Sequence, residues 1–155
     1  MATLHIRWQR LLIDHERTCE RCGATEAAVD EAAGRLANAL GALGIEVAVD
    51  KGALDDATFR ADPSASNRIW LAGEPLEAWL AAEIGESACC GSCGGAACRT
   101  VTVDGTTYEA IPPELIVRAG LLAGARLVGG PKARAATSAG SCCTRADSPG
   151  TTRCC

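Results

Sequence analysis

Apolar and polar residues alternate at the start of the chain, with Leu4, Ile6 and Trp8 on one side and His5, Arg7 and Gln9 on the other. A period of two marks a half-buried strand. From Thr25 the spacing changes: Val29, Ala32, Leu36, Leu40 and Leu43 recur on one face of a helix. Thr25 is its expected N-cap, Glu26 and Asp30 lie near the positive end of its dipole, and Gly44 is its stop. Alternation returns at Ile45-Glu46-Val47-Ala48-Val49. Strand, helix and strand in succession predict a parallel pair joined by a right-handed crossover.

Further along, Asp55 to Arg60 predicts a short helix broken by Asp62-Pro63-Ser64, and Arg68 to Ala72 a third strand closed by Gly73. Pro75 suits a first helical turn, and the spacing of Leu76, Trp79, Leu80 and Ile84 carries that helix to Gly85. Asp104-Gly105 between Thr100–Val103 and Thr106–Ile111 predicts a hairpin with a type I′ turn. Pro112-Pro113-Glu114 opens a last helix through Leu127, apolar on most faces and therefore expected against the sheet. Trp8, Trp70 and Trp79 are expected in the core. These elements make one α/β domain over residues 1–128. Residues 129–155 contain no bulky apolar side chain whose burial could offset chain entropy, so a disordered cysteine-containing tail is expected there.

Charge and composition narrow the function. The net charge is −4 and the basic residues are scattered, which argues against nucleic acid, since phosphate binding needs clustered Lys and Arg. No apolar run reaches the roughly 18 to 20 residues that span a bilayer, and Met1 to Arg7 lacks the form of a signal peptide. A cytoplasmic protein with no membrane partner is expected. That compartment keeps thiols reduced, so the ten cysteines are not expected to form structural disulfides and point instead to metal, metalloid or redox work.

The cysteines fall in three groups. Cys19 and Cys22 form a CxxC ahead of the first helix. The helix dipole there favours thiolate, which makes Cys19 the expected nucleophile and Cys22 the group that resolves it, with Arg21 assisting and Glu20 opposing. Cys89, Cys90, Cys93 and Cys98 share one loop in which Gly91, Gly94 and Gly95 let the backbone turn its sulfurs inward. Cys142, Cys143, Cys154 and Cys155 lie in the tail, beside four basic residues (Lys132, Arg134, Arg145, Arg153) and a single acid, Asp147. Adjacent cysteines chelate a soft ion more readily than they close a disulfide. All ten are candidate ligands for a soft ion. The alternative is a structural zinc held by Cys19, Cys22, Cys90 and Cys93, which have the knuckle spacing of four-cysteine sites. His5 and His15 are expected to be structural or solvent-facing; His15, four residues before Cys19, is a weak candidate proton acceptor.

The order strand, CxxC, helix, strand, then further strand, hairpin and helix resembles the thioredoxin fold. More closely, His5 to Leu11, the CxxC, Ser66-Asn67-Arg68-Ile69-Trp70, Arg99-Thr100-Val101 and Tyr108 to Pro112 resemble a prokaryotic thioredoxin-like family. That family has no established activity, and its members are often associated with mercury or arsenic detoxification. The resemblance covers about residues 3 to 128. It implies a thioredoxin-like β-α-β-β-β-α domain with a cysteine-rich insertion. It also implies thiolate binding or exchange of Hg or As ions, or linked thiol–disulfide exchange with a redox or detoxification partner protein. The tail pairs resemble the vicinal cysteines with which mercuric reductases collect Hg(II). Thioredoxin itself has Gly-Pro where this chain has Glu20-Arg21, and a cis-proline where it has Ser66-Asn67, which argues against ordinary disulfide reductase activity.

Overall fold

The computed structural model describes residues 1–13, 17–89 and 91–130. The expected tail cysteines, together with His15 and Cys90, lie outside the described residues. Strand β1 (Ala2–Leu11) leads to helix α1 (Glu20–Gly41) and strand β2 (Ile45–Leu54), which pairs with β1 in parallel from Ala2↔Ile45 to Leu11↔Leu54. Helix α2 (Asp56–Ala61) is capped by Asp55, whose carboxylate accepts from the Thr58 N–H at 2.7 Å. Strand β3 (Arg68–Leu71) runs antiparallel to β1 and turns into β4 (Glu74–Pro75), giving a sheet ordered β2-β1-β3-β4. Helix α3 (Leu76–Leu80) then passes the chain to a second, antiparallel sheet of β5 (Glu83–Ala88), β6 (Ala97–Val103) and β7 (Thr106–Tyr108), and helix α4 (Pro113–Val128) follows.

The core is the one the alternation predicts: Leu4, Ile6 and Trp8 of β1 are fully buried against Val29, Ala32 and Leu36 of α1 and Ile116, Ala119 and Ala123 of α4. Small residues let the two helices approach closely. A Cβ on Gly120 would overlap the Leu36 methyl groups, and one on Gly124 would sit 2.7 Å from Leu40 Cδ2. Helix α4 therefore packs on α1 and leaves Leu121, Leu122 and Val128 exposed. Of the three tryptophans, Trp8 is fully buried and donates to Asn67 Oδ1 at 3.1 Å. Trp70 is only half-buried, with the Arg7 and Arg68 guanidinium groups 5.2 and 5.0 Å from its ring centre.

Three expectations are corrected. The helix opened by Pro75 ends at Leu80 because Ala81 is left-handed, and Ile84 and Gly85 belong to β5. Gly85 has a packing role there, since a Cβ would sit 2.9 Å from Thr100 Oγ1 across the ladder. Thr25 is not the N-cap of α1, which starts right after Cys19; Thr25 is fully buried and its hydroxyl accepts from the Ile111 N–H at 3.0 Å. The hairpin turns at Asp104-Gly105 with positive φ at both, as a type I′ turn needs, but its second strand stops at Tyr108, and its first strand pairs with β5 in the second sheet. Strand β5 also continues into the cysteine loop, leaving Cys89 N–H bonded to Ala96 O at 3.0 Å.

A buried ion pair joins the second sheet to α3. Arg99 of β6, its side chain 6 % exposed, lies 2.5 Å from Glu77 of α3, itself 17 % exposed. Removing one partner of such a pair leaves an uncompensated buried charge. Glu77→Ala should lower unfolding free energy by about 3–5 kcal/mol in urea titration; a loss within error would show that Arg99 finds other compensation. Gly120→Ala should cost about 1–2 kcal/mol net, because overpacking against Leu36 outweighs the gain in helix propensity; an unchanged urea midpoint would show that the helices can separate freely.

Candidate thiolate site

Helix α1 presents its N-terminus to the loop that joins β5 and β6. Cys19 is the residue before the helix, with an extended backbone, and its carbonyl accepts the Gly23 N–H at 2.8 Å. The antiparallel register brings Ser87 opposite Cys98 and Ala88 opposite Ala97, so the two ends of the loop lie side by side. Cys89 and Cys98 are joined by a disulfide with Cα atoms 5.1 Å apart, contrary to the expectation of reduced thiols throughout. The sulfurs of Cys19, Cys89 and Cys93 all lie within 4.8 Å of one another. Two segments about seventy residues apart in sequence thus converge on one point.

Arg21, between the two cysteines of the CxxC, holds that convergence. Its guanidinium donates to the carbonyls of Ala88 at 3.2 Å and Arg99 at 3.3 Å, with a longer contact to Glu109 O at 3.5 Å. Ala88 and Arg99 are the residues just outside the disulfide, so one cation fixes both ends of the loop against the first turn of α1. Sequence reasoning gave Arg21 only an electrostatic part; the signal available was a long, multidentate donor placed between two reactive cysteines.

Cys19 and Cys22 are each only 5 % exposed. The sheet and the cysteine loop cover them. Cys22 Sγ lies 3.7 Å from Ser66 Oγ, and Ser66 Oγ also accepts the Leu11 N–H at 3.0 Å. No peptide bond among the described residues is cis. The Cys22 pKa is pushed well above its ordinary 9.0, first by its hydrogen bond with Cys19, then by burial, then by the Cys19 charge; the Ser66 and Thr18 hydroxyls act the other way. Cys22 therefore holds its proton beside Cys19.

Exposure increases toward the loop. Cys89 and Cys93 are half-buried, and Cys93 lines a cleft of about 600 Å³ together with Leu11, Phe59, Arg60 and Ala96. The structure joins Cys19, Cys89 and Cys93 in one cluster, sets Cys22 behind Cys19, and ties Cys98 to Cys89. Cys90, which the four-cysteine zinc alternative needs, lies outside the described residues. Arg7 stands over Trp70, and Asn67 is buried and donates to Glu109 O at 3.4 Å. With the Cys89–Cys98 bond reduced, the three clustered sulfurs can hold a soft or borderline metal ion, and the disulfide itself can take part in exchange.

Comparison with known proteins fits this open chemistry. The chain is 36 % identical over 113 residues to an uncharacterized protein of Archaeoglobus fulgidus, a match spanning 73 % of this chain and 82 % of the relative. No solved structure matches. Residues 4–120, which contain all three sulfurs of the cluster, match the model of a domain of unknown function, DUF2703, and the chain belongs to that family.

Proposed function

We propose that this protein binds and exchanges thiophilic metal or metalloid ions, such as Hg(II) or As(III), through the thiolates of Cys19, Cys89 and Cys93. The observation that carries this reading is the mutual approach of those three sulfurs to within 4.8 Å, from a helix N-terminus and a distant loop. Soft ions prefer sulfur, and three thiolates satisfy a trigonal As(III) or Hg(II). The ion is cargo: it enters along the cleft at Cys93, and the cluster receives it once the Cys89–Cys98 disulfide is reduced. Arsenite would lose three waters as three sulfurs replace its hydroxyls, each thiol giving up one proton.

The sheet order β2-β1-β3-β4, with β1 and β2 parallel and a CxxC leading into α1, supports a thioredoxin-like reading of the first sheet. A cytoplasmic setting suits thiols that must be reduced to bind, and no helix of the described residues is long and apolar enough to cross a membrane. The tail pairs Cys142-Cys143 and Cys154-Cys155 act in this reading as tethered donors that raise the local concentration of ion. The same three sulfurs also suit zinc with a fourth ligand, and that structural use is the competing reading.

Titrating the reduced full-length chain with arsenite should give one ion per cluster with a thiolate–arsenic ultraviolet band, and Cys19→Ser, Cys89→Ser or Cys93→Ser should each weaken binding at least tenfold. An isotherm indifferent to Cys19→Ser would overturn the assignment, and one zinc per chain lost together with folding would favour the structural alternative. The raised Cys22 pKa carries its own signature in reduced protein. Below pH 9 the thiol is protonated in both folded and unfolded chains; above it the unfolded chain releases the proton and the folded one keeps it. Unfolding free energy should therefore fall by about 1.4 kcal/mol per pH unit above pH 9, and less steeply in Cys22→Ala. Parallel slopes for the two proteins in urea titrations across pH 8–10.5 would contradict this.

A further inference from the structure

A dithiol and a disulfide stand side by side in this fold. Cys19 Sγ lies within 4.8 Å of Cys89 Sγ, Cys89 is bonded to Cys98, and Cys22 lies behind Cys19 in the first turn of α1. Arg21 holds the carbonyls of Ala88 and Arg99 on either side of the disulfide. The arrangement is also graded in access: Cys19 and Cys22 are 5 % exposed and Cys98 8 %, whereas Cys89 is half-buried. An external thiol or disulfide therefore meets the loop pair before the helix pair.

We propose that the Cys19/Cys22 dithiol and the Cys89–Cys98 disulfide exchange electrons within one chain, the loop pair serving as the port to outside thiols and the helix pair as an inner store. The Cys19 thiolate attacks Cys89 Sγ, the Cys89–Cys98 bond breaks, and the electron pair leaves on Cys98. Cys22 then attacks Cys19 Sγ, a Cys19–Cys22 disulfide forms, and Cys89 departs as thiolate while the proton of Cys22 passes to Cys98. One disulfide and one thiolate are consumed and one of each is formed, so the internal step is balanced without a co-reactant. The reverse step recharges the port, and the outside partner is a small-molecule or protein thiol–disulfide couple. Arg21 is the positioning residue, because it sets the attacking sulfur against the bond to be broken.

This proposal shares Cys19 and Cys89 with the ion-binding reading but does not depend on which ion is bound. Its test is limited oxidation of the fully reduced full-length chain with oxidised glutathione, followed by acid quench, alkylation and peptide mass mapping. The Cys89–Cys98 bond should form first, and the Cys19–Cys22 bond should rise as it declines. Cys22→Ser should stall with a Cys19–Cys89 cross-link. Arg21→Ala should slow the second phase at least tenfold while the first keeps its rate, and Arg21→Lys should restore part of it; a merely structural role would slow both phases together. A Cys19–Cys22 bond that forms as fast in Cys89→Ser as in the unaltered chain, or no Cys19–Cys89 cross-link in Cys22→Ser, would overturn the relay. Arsenite titration of the same reduced chain separates the two readings: binding without relay overturns only the relay, and relay without binding overturns only the ion assignment.

Discussion

The polar joint between the two sheets is a set of donors aimed at oxygens across the gap, and Arg21, which holds three backbone carbonyls, is at its centre. Each sheet has its own ladder, but little of either ladder crosses to the other. What crosses is the apolar core, which takes in Val101 and Val103 of β6, and with it the Arg21 guanidinium, reaching from α1 to the ends of β5 and β6, the Ile111 N–H on Thr25 and the Arg99–Glu77 pair. These contacts differ in cost. The Ile111–Thr25 bond and the Arg99 pair are buried, so their loss leaves a polar group stranded. Arg21 is more open to solvent, and its value lies in geometry: three carbonyls from three segments are ordered by one planar group. The convergence of Cys19, Cys89 and Cys93 follows from that joint.

Burial then divides the labour among the sulfurs. A CxxC at a helix start is usually argued from the dipole, which acts on whichever thiol is nearest the first turn. In this chain the loop lies over that turn, so the position at the helix start is the enclosed one and Cys93 of the loop faces the cleft. Reactivity and access are carried by different residues. Ser66 contributes to the enclosure by holding the Leu11 N–H and touching Cys22 with the same hydroxyl.

How much of this could be read from the sequence follows the range of the interactions involved. Strand β1, the buried face of α1 and the Asp104-Gly105 turn are written in local spacing and local φ preferences, and they were legible. The end of α3 was not. Ile84 falls four residues after Leu80, which suits a helix, and the contrary decision is taken by pairing with Thr102 and Val101, residues the local pattern cannot see. Thr25 looked like a cap because its partner, the Ile111 N–H, is 86 residues away. At the site, the cysteines were legible as a set, but which sulfur meets which depends on the β5–β6 register and the Arg21 joint. The disulfide was missed because an argument from cellular compartment overrode the geometry of a hairpin that places Cys89 and Cys98 together.

Cys89 is bonded to Cys98 and also belongs to the three-sulfur cluster, and it cannot be a disulfide partner and a thiolate ligand at once. Under the ion-binding reading, an ion that occupies only the reduced form drags the midpoint potential of the loop pair toward more positive values. Cargo at a hundred times its dissociation constant stabilises the dithiol by about 2.7 kcal/mol, which for two electrons corresponds to about 60 mV. The loaded chain would then resist oxidation in surroundings that oxidise the empty one. A single sulfur atom would thus let the protein report, as a voltage, whether it is carrying anything.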